Sequence, residues 1–174
     1  MMLEASLELN KALKGFLEVS ESLGKLERPK VCTLEPGAKI KACSGFMKIY
    51  ELCVRVDETL RDMIRHKDSD EVKHSFERAR ELIENLTEAV SSLSDRERRM
   101  LLTYMHQEFF QYGKHIKKLL SGRPASRIWG EKDFVRISKD FSMAVEALRK
   151  SAAFVLLIIA APEKSREEIG RLIC

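Results

Sequence analysis

Apolar residues recur along most of this chain at alternating steps of three and four, the spacing that puts them on one face of a helix. Met2, Ala5, Leu9, Ala12, Phe16, Val19, Leu23 and Leu26 draw the first such stripe and predict a helix over 3–26. Leu3, Leu7, Leu13 and Leu17 widen it, so this helix is expected to touch two neighbours. Phe46, Ile49, Cys53, Val56, Leu60 and Met63 predict a second helix within 38–66. A turn over 67–70 follows, where Ser69 or Asp70 can cap the third helix, whose stripe is Val72, Phe76, Ala79, Ile83, Leu86, Val90 and Leu93. Ser94 stands three residues before Glu97, a capping box that opens a fourth helix. Leu102, Met105, Phe109, Tyr112, Ile116 and Leu119 carry that helix to Ser121 and Gly122. Phe134, Ile137, Phe141, Ala144, Leu148, Ala152 and Val155 predict a fifth over 132–160.

Helix breakers fall between these stripes. Pro29, Pro36 and Gly37 mark one loop, residues 123–131 (RPASRIWGE) another, and Pro162 ends the fifth helix and opens a short last one. The expectation is an all-α, single-domain antiparallel bundle over 1–174, with about five long helices plus a short C-terminal helix. Short links after helices two and three predict an up-down-up series of helices two, three and four. The second half of helix five, from Ala152 to Ala161, is apolar on every side. Such a segment must be surrounded by the bundle or by another subunit. Phe154, Leu157 and Ile158 are therefore the expected interface residues.

Composition narrows the function classes. At 174 residues the chain can bury roughly two-thirds of its unfolded surface. Its 44% apolar and 33% charged residues exclude a disordered or disulfide-rich class. Two Asn and two Gln against 58 charged residues resemble thermophile usage. Cys32, Cys43, Cys53 and Cys174 have no zinc-type pairing, and Cys53 falls on a core stripe. No secretory signal begins the chain, and the apolar run 151–161 is too short to span a bilayer, so a reduced, cytoplasmic protein is expected. No phosphate-binding glycine loop, dinucleotide fingerprint or nucleophile elbow occurs, and no cofactor is expected.

Three local patterns carry candidate chemistry. Glu71 and His74 have the Glu-x-x-His spacing of di-iron bundles, without the second copy those sites need, so no metal is expected. From Ser94 to Arg127 eight basic residues face three acids. Lys114, Lys117 and Lys118 share one face of helix four, and Arg123, Arg127 and Trp129 follow in the loop. Positive charge beside an aromatic suits RNA or single-stranded nucleic acid, by phosphate neutralisation and base stacking. The third pattern is Arg61-Asp-Met-Ile-Arg-His66, which resembles the Arg-x4-6-His motif of HEPN domains; Arg99 and His106 fit its loosest form. Those domains are small helical bundles that include many dimeric ribonucleases. The resemblance implies that His66 would serve as general acid or base on a ribose 2′-hydroxyl while Arg61 stabilises phosphate charge, without a metal.

The leading expectation is a non-catalytic bundle that works through partners, as a homo-oligomer or as a small subunit of a larger, nucleic-acid-bound assembly. A metal-independent endoribonuclease using Arg61 and His66 is the alternative.

Overall fold

The computed structural model describes residues 2–26, 36–66, 69–121 and 131–160, with side chains within 7–26, 42–66, 69–120 and 135–159. Six helices occupy them: α1 (Met2–Gly24), α2 (Pro36–Arg65), α3 (Val72–Ser91), α4 (Asp95–Thr103), α5 (Gln107–Ser121) and α6 (Glu131–Ala160). No strand occurs among the described residues, and the all-α bundle expected from the stripes is the fold. The stripes reappear as its core: Phe46, Phe76, Phe109 and Phe141 are fully buried, as are Leu9, Ile49, Met63, Ile83 and Leu86. Of the expected loops over 27–37 and 123–131, residues 27–35 and 123–130 lie outside the described residues, as does the short helix after Pro162. Pro36 and Gly37 already belong to α2, and Glu131 to α6.

The helices form a ring in the order α1, α3, α2, α6, α5, with α4 bridging α6 and α1. Phe16 reaches across the interior, its ring edge-on to Phe141 at 5.2 Å and to Phe109 at 6.2 Å. α2 and α3 pair as their short turn requires. The up-down-up series stops there, because α4 settles against α6 and α1, and α5 against α6 and α1, instead of packing beside α3. Antiparallel α2 and α6 are tied by Ser142 Oγ, which donates to Asp57 Oδ1 at 2.5 Å, and by Arg149 stacking on the Tyr50 ring at 5.7 Å. Cys53 lies inside this pairing, and burial pushes its thiol above the usual range against the opposing pull of Arg149. That environment makes Cys53 a small core residue.

The expected fourth helix is two helices. The capping box forms: the Glu97 backbone N–H donates to Ser94 Oγ at 3.2 Å, and the Ser94 N–H donates to Glu97 Oε1 at 2.8 Å. The helix it opens nevertheless stops at Thr103. Met100, Leu101, Leu102, Tyr104 and Met105 are all buried, and that near-continuous run covers more of a helix circumference than one straight stripe can. A bend at 104–106 lets all five point inward. Its hydrogen bonding is specific: Met105 N–H donates to Leu102 O at 3.1 Å, one residue short of the α-helical acceptor. The Leu101 carbonyl is taken instead by Ser151 Oγ of α6 at 2.6 Å, in fully buried surroundings. α3 also starts differently from expectation. Glu71 occupies the N-cap position without a side-chain cap bond, while Ser69 Oγ accepts the Glu71 N–H at 3.1 Å.

Candidate interaction surfaces

Among the described residues, four of the five exposed large hydrophobic side chains lie on α6. Val135, Met143, Phe154 and Leu157 are exposed, and at about 100° per residue all four fall within about 100° of helical arc. The segment expected to be surrounded is only partly so. Ala152, Val155, Ile158 and Ile159 point into the core, whereas Phe154 is 41% and Leu157 55% exposed. Ile158, at 2%, is thereby corrected from interface to core; it is one residue, or about 100°, from Leu157 and faces the bundle. One side of Phe154 is covered by Tyr104, whose ring stacks on it at 6.5 Å and 25°. Burial raises the Tyr104 hydroxyl above its ordinary range. Lys139 is also exposed on this sector, and Lys150 and Glu146 form an ion pair at 3.5 Å.

At the end of α2, Arg61 and His66 turn to separate carboxylates. Arg61 Nη2 lies 3.0 Å from Asp57 Oδ2, one turn back, on the carboxylate that also holds Ser142. His66 Nδ1 lies 3.3 Å from Glu71 Oε2, beyond the turn. The remaining basic residue of this helix end, Arg65, pairs with Asp62 at 3.6 Å. Glu71 is thus turned toward His66, and among the described residues no group of three or more His, Cys, Asp or Glu could hold a metal ion.

The basic face of α5 is exposed at Lys114, Lys117 and Lys118. Lys117 Nζ reaches Glu21 Oε1 of α1 at 2.5 Å. That hydrogen bond, with the charges of Lys117 and Lys25, holds the Glu21 carboxyl below its ordinary range. Arg123, Arg127 and Trp129 lie outside the described residues.

Beside this pair, α1 and α5 leave a cleft of about 600 Å³. Its apolar side is made by Leu17, Leu26, Leu102, Phe109 and Phe110, and its polar residues include Glu21, Lys25, Gln107, Gln111 and Lys114. Two helical glycines border it. A Cβ on Gly24 would sit 3.2 Å from Phe110 Cε1, and one on Gly113 would sit 3.7 Å from Leu17 Cδ2. Sequence reasoning passed over this cleft. Its one signal was a glycine inside a helical stripe, which often marks a close approach of elements.

No helix among the described residues is long and apolar enough to cross a membrane. No protein-family model, no curated protein and no solved structure matches the chain.

Proposed function

We propose that the chain is a non-catalytic interaction protein that self-associates through the outer face of α6, with a second copy of itself as the partner. The observation that carries this is the pair Phe154 and Leu157, exposed at the end of a 30-residue helix whose opposite side forms the core. Acidic and basic residues, Glu146, Lys139 and Lys150, accompany the apolar positions, so the face suits the self-complementary contact of a two-fold dimer.

Magnitudes set the expected strength. Burying the exposed parts of Phe154 and Leu157 contributes roughly 1 kcal/mol each, or about 4 kcal/mol over two copies. Association costs about 4–15 kcal/mol in lost freedom, so Val135 and Met143 must join the contact and the dimer should be weak. Residence in a reducing cytoplasm belongs to the same reading and suits the free thiols of Cys43 and Cys53. Nucleic-acid contact is a subordinate extension that rests on the charge of α5.

Sedimentation velocity at micromolar concentrations tests the proposal. Wild type should contain a dimer that Leu157→Glu converts to monomer, with the helical circular-dichroism signal unchanged. A strictly monomeric wild type overturns it.

A further inference from the structure

The cleft between α1 and α5 carries an inference independent of α6. We propose that it binds a small amphipathic anion: an apolar chain or ring bearing one carboxylate, sulfate or phosphate head.

Three features point to that class. Its volume, about 600 Å³, lies in the range of small-molecule sites. Its walls are apolar where they are deepest: Leu17, Leu102 and Phe109 are buried core residues, and Phe110 presents a half-buried ring held edge-on to Phe109 at 5.2 Å. At Gly24 and Gly113 the walls are close-packed: Phe110 crowds the place a Gly24 Cβ would take, and Leu17 touches the place a Gly113 Cβ would take.

Charge at the rim selects the head group. Glu21 is the one acid in the lining, and Lys117 neutralises it from outside the cleft. Lys25 and Lys114 then give the rim a positive balance, while Gln107 and Gln111 add amide donors. The helix ends oppose each other, the C-terminus of α1 at Gly24 disfavouring an anion and the N-terminus of α5 at Gln107 favouring one. The lysines therefore decide the sign. A cationic amphipath would meet Lys25 and Lys114 without a free carboxylate to receive it.

Isothermal titration with dodecanoate is the test, against dodecyltrimethylammonium (the same chain, opposite head) and acetate (the head alone). Dodecanoate should bind one per chain with a dissociation constant on the order of 100 μM, and the other two should not saturate. Lys114→Glu, at an exposed position, should weaken dodecanoate about tenfold, the effect of losing one charge-assisted contact. Gly113→Leu should fill the cleft and abolish binding. Amide shifts should move within residues 17–26 and 107–114. The proposal is overturned by absence of saturable dodecanoate binding, by equal binding of both amphipaths, or by unchanged affinity in Lys114→Glu. Attachment to phosphatidylglycerol vesicles without binding of free dodecanoate overturns it too, in favour of a lipid surface.

Discussion

Where α2 meets α6, the chain joins its two longest helices with an inter-helix hydrogen bond from Ser142 to Asp57, a cation over the Tyr50 ring and a buried thiol. Where α1 meets α5, an exposed ion pair and two glycines border a cleft of about 600 Å³. Both seams belong to one ring and one hydrophobic core. The first seam is closed by side chains, and the second leaves an open cleft beside a close approach at Gly24 and Gly113. Stability in this protein is thus expected to concentrate around α2 and α6, and accessibility around α1 and α5.

The largest expected effect lies on the filled side. Leu148→Ala, at a position with 0% exposure on α6, should cost about 2–5 kcal/mol in urea unfolding. Leu17→Ala deletes the same atoms beside space that is already open, so its loss should fall at the low end, about 2 kcal/mol. Equal losses would mean that the cleft is filled in solution, and the contrast between the seams would fail. Next comes Ser151→Ala, which leaves the Leu101 carbonyl buried without its donor and should cost about 1–3 kcal/mol. The ion pair of the open side gives the smallest effect. The Glu21 pKa is lowered on folding, so the pair's contribution is present above the ordinary value of 4.5 and lost as pH falls through the depressed folded value. Glu21→Gln should lower the urea midpoint slightly at neutral pH and low salt, and the gap should close under acid or high salt. A gap that persisted under acid would assign the loss to something other than the carboxylate charge.

The helices were legible because each stripe is long and regular: every apolar position named for α3, from Val72 to Leu93, is buried. Ser94 and Glu97 were legible because a capping box is closed within four residues. The ring order was not, since periodicity assigns a face to each helix without naming the face it meets. The same limit explains α6. Residues 152–161 are apolar all round, so nothing local distinguishes Leu157, which faces out, from Ile158, which faces in. Arg61 and His66 stand five residues apart in a motif-like spacing, but the structure gives each its own acid, Asp57 and Glu71. The cleft was the least legible feature, because it is a space between α1 and α5, and periodicity marks which residues are apolar without marking where two helices part.

The bend between α4 and α5 has a consequence for how this segment would behave alone. Between Asp95 and Tyr112 there is no glycine or proline, and the local code from Ser94 onward is that of one uninterrupted helix. The interruption is imposed from 50 residues away, by Ser151 taking the Leu101 carbonyl and by a core that admits five neighbouring side chains at once. An excised peptide spanning 94–121 would follow its own grammar and straighten. In the whole chain the same residues acquire a corner as α6 docks, so the shape of this segment is a property of its company.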